Sequence, residues 1–367
     1  MKKCIIILFT ILFLVVFLSF SAYAAQIDGG VDDIFPSDSK EMLYEAGFDN
    51  LDIDSLKNLS VSDVLKYIFN SIKNEMTAPF LLVYVIFIII LITSIASGMN
   101  GGFLNSELDG NFSIISVLCV CSVAVAPIIS CLEEARTFIS NITGFVKVFV
   151  PVLTGVMISG GQSVTGLGYQ AVMISAVELL SSFLSKILLP FLFIYLAFSI
   201  AGRATAWFSI ESVSSSVKSS VTWCLTLTMS LFVSLITIKG LIGAGADSVA
   251  LRTGKFFIGS FVPAVGGALS EAAATLQKSV GLIKNTTGVF GIIAATIYFI
   301  PPLIKVLLYK FTCDISAIIG DTLGAKKIAG LIRDISTVLG LVSSVILSLG
   351  ALIILSTAVT LMIGNGG

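Results

Sequence analysis

Residues 80–97 read Phe80-Leu81-Leu82-Val83-Tyr84-Val85-Ile86-Phe87-Ile88-Ile89-Ile90-Leu91-Ile92-Thr93-Ser94-Ile95-Ala96-Ser97, without one charged side chain. As a helix rising 1.5 Å per residue, this run nearly covers the ~30 Å hydrocarbon core of a bilayer. Five further runs, 112–132, 171–200, 221–238, 282–308 and 336–363, have the same character. The whole chain of 367 residues is 56% hydrophobic and 12% charged, with a mean hydropathy of +1.05. A soluble domain carries roughly 25% charged residues, too many for this chain to match on a water-facing surface. The fold class that follows is an all-α, polytopic membrane protein of six to eight spans. Lipid is its solvent.

The N-terminus carries an address. Met1-Lys2-Lys3 is a basic start, residues 4–20 are apolar, and Ala22-Tyr23-Ala24 has the A-x-A cleavage pattern. Residues 1–24 therefore read as a secretory signal peptide. An uncleaved anchor is the alternative, and both readings start residue 26 outside the cytoplasm. Residues 25–78 form the ordinary polar stretch. Its first half is acidic, with Asp28, Asp32, Asp33, Asp38, Glu41, Glu45, Asp49, Asp52 and Asp54. In its second half Val61, Val64, Leu65, Ile68, Phe69, Ile72 and Met76 recur at helical spacing. That helix either packs on the membrane domain or docks a partner outside the cytoplasm. The membrane domain is residues 79–367.

Two shorter apolar runs, 145–159 and 256–269, are interrupted by proline and glycine, and they resemble each other. Phe149-Val150-Pro151-Val152-Leu153-Thr154-Gly155 aligns with Phe261-Val262-Pro263-Ala264-Val265-Gly266-Gly267. The same offset carries Pro190 onto Pro302 and residues 112–132 onto 224–244. The domain thus reads as an internal repeat, units 112–200 and 224–312, each a span, a broken segment and a long span with proline. Broken segments of this kind line cavities in transporters; a structural kink is the plainer reading. If both are re-entrant, the first span runs inward and six spans leave the C-terminus outside. Arg203, Lys218, Lys305, Lys310, Lys326, Lys327 and Arg333 then fall inside, in accord with the positive-inside rule. Lys239, Arg252, Lys255 and Lys278 fall outside, against it.

Glu178 and Lys186 stand inside the apolar run 171–200. A charge at the bilayer centre costs roughly 2.5–3.5 kcal/mol on insertion scales. Eight residues separate the two by about 12 Å of helix axis, so they do not pair directly. They either line a polar pathway, or find water and partners elsewhere. Glu271 follows the second break, and Gln162 and Ser163 follow the first. Asp247, Arg252 and Lys255 read as one solvated loop cluster.

Histidine is absent, which excludes histidine general bases, Ser-His-Asp triads and histidine metal ligands. No Walker sequence, metal-spaced carboxylate set or nucleophile motif occurs. The reading therefore expects no catalytic activity, cofactor or metal. With a formal net charge of −1 and no basic face, it expects no nucleic-acid partner. Cys119, Cys121, Cys131, Cys224 and Cys313 are an odd set in apolar surroundings, small hydrophobes rather than a disulfide framework.

Four stretches carry a family likeness. They are residues 149–155; Ala246-Asp247-Ser248-Val249 with Arg252, Lys255 and Phe256; Val262-Pro263-Ala264-Val265-Gly266-Gly267-Ala268-Leu269-Ser270-Glu271; and Ile319-Gly320-Asp321. Through them most of residues 60–363 resembles the stage III sporulation protein AE family of endospore-forming bacteria. The resemblance implies work during sporulation, in the mother-cell membrane around the engulfed forespore. It implies partners among other stage III proteins of the same operon and in the forespore membrane. Membrane lipids and further copies of the chain are the other partners expected. It implies a role in a channel or secretion-like apparatus joining the two cells, as its permease-like core. A membrane scaffold that transports nothing is the alternative. No catalytic residues carry over.

Overall fold

A computed structural model describes residues 75–103, 106–205, 210–261 and 266–363, with Phe69, Ile72 and Lys73 ahead of them. The signal peptide, the acidic stretch and most of the expected amphipathic helix lie outside the described residues. Every described element is helical: α1 (Thr77–Phe103), α2 (Ser106–Ser159), α3 (Ser163–Phe183), α4 (Leu189–Thr205), α5 (Ile210–Phe261), α6 (Gly266–Thr322) and α7 (Lys326–Ile363). A π-helical turn, Leu184–Leu188, joins α3 to α4. Six helical stretches are long and apolar enough to cross a membrane, counting α3 and α4 as one. Each contains one of the six runs marked in the sequence.

Two connections have the same design. At the end of α2, Gly161 has φ 80°, its N–H donates to Ile158 O, and Gln162 N–H reaches back to Met157 O at 2.9 Å. At the end of α6, Gly324 also has φ 80°, with Gly324 N–H on Asp321 O and Ala325 N–H on Gly320 O. Both are Schellman closures, which need a residue at positive φ and so select glycine. They fold α2 back on α3 and α6 back on α7. The second hairpin is the centre of the molecule. α7 exposes only Lys326, Arg333 and Met362 among its described side chains, while α2, α3, α4 and α5 pack around it. A helix apolar on all sides is either a membrane span or a protein core; here residues 336–363 are core.

The first proline segment corrects the sequence reading. Residues 145–159 are no separate broken segment: Pro127 and Pro151 both sit inside a continuous α2. Pro151 is exposed, so its ring faces outward from the bundle. Pro263 lies outside the described residues. α5 ends at Phe261 and α6 begins at Gly266, with 262–265 outside the described residues; Gly266, Gly267 and Glu271 fall on the first turns of α6. Pro190 follows the π-helical turn, whose wider spacing, with Leu189 N–H on Leu184 O, makes room for the proline ring. Pro301 and Pro302 are accommodated inside α6.

Candidate functional site

The interhelical charges of the bundle gather at three levels, some buried and some at its surface. The first surrounds the turn between α2 and α3. Helix α3 begins with no side-chain cap of its own, since Gln162 makes none. Its first N–H groups need acceptors, and at Thr165, which is buried, water does not supply one. Asp247 supplies them from α5: Oδ1 accepts Val164 N–H and Oδ2 accepts Thr165 N–H, each at 2.9 Å. The carboxylate also meets the positive end of the α3 dipole. Gly243, one turn earlier on α5, makes the approach possible. A Cβ there would stand 2.7 Å from Thr165 Cα.

Lys284 of α6 closes on the same turn from the other side. It is 2% exposed. Its Nζ donates to Gln162 Oε1 at 3.0 Å and to Thr360 O at 3.2 Å. Asp247 and Lys284 make no ion pair with each other; each charge is held through the turn. Tyr169 OH and Thr357 Oγ1, 3.1 Å apart, tie α3 to α7 nearby. The sequence marked Asp247 but placed it in a solvated loop with Arg252 and Lys255. The structure corrects this: all three lie on α5, Asp247 buried and Arg252 exposed. The sequence reading missed Lys284, although a lone lysine two residues into an apolar run was the available signal.

The second level is at half height. Glu134 of α2 pairs with Lys305 of α6 at 2.5 Å, both partly buried. The third lies near the turn at Gly324. Arg203 Nε donates to Asp334 Oδ2 at 3.0 Å, with the carboxylate buried. Lys310 pairs with Asp314 at 2.5 Å, Ser336 donates to Asp314, and Arg333 pairs with Asp321.

The pathway candidates are elsewhere. Glu178 and Lys186 are both exposed on the outside of one copy. Glu178 meets Lys147 of α2 at 3.4 Å, each side chain more than half exposed. The two therefore line no internal path. The interior instead holds a polar seam along the α6–α7 hairpin. Thr286, Thr287, Thr296, Thr312 and Ser316 are buried on α6, and Ser336, Ser343, Ser356, Thr357 and Thr360 on α7. Most of these hydroxyls donate to carbonyls of their own helix, as Thr296 does to Ile292 O and Ser316 to Thr312 O. The cysteines are free; Cys121, Cys131 and Cys313 are buried, but Cys119 is exposed on the next face round the helix. No group of metal-ligating side chains occurs among the described residues.

This arrangement defines a polytopic, all-helical membrane protein built on a central hairpin. Residues 50–364 match the family model of stage III sporulation protein AE, and the chain belongs to that family. It is similar to the stage III sporulation protein AE of Bacillus subtilis (strain 168), at 23% identity over 313 residues, 85% of this chain and 78% of the relative. No solved structure matches it significantly.

Proposed function

We propose that this chain is the multispan membrane core of the apparatus that links mother cell and forespore during sporulation. It sits in the mother-cell membrane and works with other stage III proteins and a forespore membrane partner. Family membership supports the sporulation role. The permease-like part of the reading rests on the polar seam between α6 and α7. A hairpin selected for stability alone would fill its centre with aliphatic side chains, yet hydroxyls recur there from Thr287 to Ser336. If the two helices part, those hydroxyls exchange their own-helix carbonyls for water or cargo at little cost. The reading assigns the chain no catalytic step.

The closed seam also favours a second reading, a scaffold that transports nothing. The two separate on one experiment. Thr296→Val, Ser343→Ala and Ser356→Ala keep side-chain volume close to native and remove only polarity. A permease core with these changes fails to support spores while still assembling with its partners. Normal spore yield from the triple variant leaves the scaffold.

A further inference from the structure

The chain divides unevenly by charge. Residues 26–76 carry eleven carboxylates against four lysines, whereas residues 77–367 carry fifteen lysines and arginines against eleven carboxylates. The acidic excess is densest in residues 28–49, where seven carboxylates, Asp28 to Asp49, face Lys40 alone. This stretch precedes the residues matched to the family, and it lies outside the described residues.

Its reach is fixed by where the chain joins the bundle. Glu75, just ahead of α1, stands near enough to Lys305 for their charges to interact. Ser94, near the far end of α1, donates to Leu323 O beside the Gly324 turn. α1 therefore starts partway along the bundle and runs toward Gly324, so the chain ahead of it approaches from the Gly161 side. The distance left to that side is measured on α6. Val280 touches the turn, its Cγ1 3.0 Å from where a Cβ on Gly160 would stand. From Val280 to Lys305 is about 38 Å of helix axis. Residues 50–76 cover about 40 Å even if wholly helical, and more if extended. Residues 28–49 are thus within reach of the turn.

Charge at the turn is one-sided. Leu251 of α5 flanks it opposite Val280, with Cδ2 2.9 Å from a Cβ built on Gly161. Beside these two stand Arg252 and Lys278, both exposed. Every carboxylate from α2 to α7 whose side chain is described is engaged elsewhere: six pair with other cations, and Asp247 caps α3. Among the described residues Arg252 and Lys278 therefore have no counterion. Val249, Phe256 and Leu282 are exposed at the same end. The face is basic and apolar together. The acidic stretch matches it, with Ile34, Phe35, Met42, Leu43 and Phe48 among its carboxylates. Lys326 and Lys327 have no described counterion either, but they stand at the Gly324 turn, the whole length of α1 away.

We infer that residues 28–49 dock on the Gly161 end of the bundle and cover Arg252, Lys278 and the apolar side chains around them. The occupant is the chain's own acidic segment. It closes the end of the α6–α7 hairpin at which Lys284 meets Thr360 O. Charge holds it there, so salt weakens the contact.

The test uses the full chain in phosphatidylcholine vesicles, with and without phosphatidylglycerol. A water-soluble carbodiimide joins a carboxylate to a lysine amine that touches it, and peptide mass spectrometry locates the link. Glu178 and Lys147, exposed and 3.4 Å apart, are the internal control. The expected product links Lys278 to a carboxylate within residues 28–49 in both lipids, with several-fold less of it at high salt. Arg252→Glu should lower that yield several-fold and leave the Glu178–Lys147 link unchanged. Asp32→Asn with Asp33→Asn, outside the bundle, should lower it as well. Mixed isotopically heavy and light chains should give links within one chain only. The control link without one at Lys278 would overturn the docking, as would equal linkage to Lys326 or Lys327, or an unchanged yield in Arg252→Glu. Heavy-to-light links would assign the face to a second copy instead. Loss of the link on adding phosphatidylglycerol would assign it to lipid headgroups.

Discussion

The carboxylate of Asp247 caps the backbone N–H of Thr165 at 2.9 Å, across 82 residues of sequence. A cap is usually a local device, set by the residue just before the helix. Here a neighbouring helix supplies it, so forming the start of α3 and docking α5 are one event. Asp247→Ala leaves two N–H groups, the buried one of Thr165 and the half-buried one of Val164, without their acceptor, and the expected loss is about 1–2 kcal/mol. Asp247→Asn keeps one acceptor oxygen and should lose less. Thermal unfolding in detergent should rank wild type above Asn above Ala. Equal midpoints for all three would mean that the cap contributes nothing to stability.

Lys284 allows a sharper separation between structure and function. Its ammonium is buried and bonded to two neutral oxygens, with no carboxylate opposite. Burying an unpaired charge costs several kcal/mol, so an apolar side chain of similar length is tolerated or stabilising. Lys284→Met should therefore unfold at the wild-type temperature or higher. Lys284→Glu should unfold well below it, because a carboxylate cannot donate to Gln162 Oε1 or Thr360 O. Loss of spore formation in a stable Lys284→Met variant would assign the charge a role beyond folding. Destabilisation by Met as large as that by Glu would overturn the assignment of the charge as costly.

These two residues show where reading the chain succeeded and where it stopped. The six apolar runs became six long helices because hydrophobic length and helicity are local properties. What surrounds a helix is not local. Residues 336–363 are as apolar as a lipid-facing span, yet protein covers nearly all of their side chains up to Leu361. Pro151 suggested a break, but its effect depended on which way the ring faced, and it faces outward from α2. Asp247 and Arg252 read as a loop because a cluster of charges is usually solvated surface. Only the meeting of α5 with the α2–α3 turn explains why one of them is buried and the other exposed.

The Lys147–Glu178 pair is expected to matter little. Its atoms are 3.4 Å apart, and both side chains are more than half exposed. Exposed pairs of this kind contribute roughly 0–1 kcal/mol, and less as salt rises. Glu178→Gln should change the unfolding temperature negligibly and leave sporulation intact. A sporulation defect with normal stability would instead mark the outer face of the α2–α3 hairpin as a surface that a partner or another copy reads.

Gly243 and Gly245 give a comparison within one turn of the same helix. Each glycine in a helix interior gives up roughly 0.5–1 kcal/mol relative to alanine. At Gly245 nothing lies within 4 Å of an added Cβ, so Gly245→Ala should recover that amount. At Gly243 the added Cβ would meet Thr165 Cα at 2.7 Å and Thr165 N at 2.9 Å. Backbone cannot swing aside as a side chain can, so α5 must back away from the α3 start. That displacement also lengthens the Asp247 bonds to Val164 and Thr165, and overpacking alone costs about 1–3 kcal/mol. Gly243→Ala should therefore lower the unfolding temperature while Gly245→Ala raises it. Combining Gly243→Ala with Asp247→Ala should cost less than the sum of the two, because both release the same helix end. Additive losses would mean that the close approach and the cap act independently, and that the α3 start is held by something other than the contact with α5.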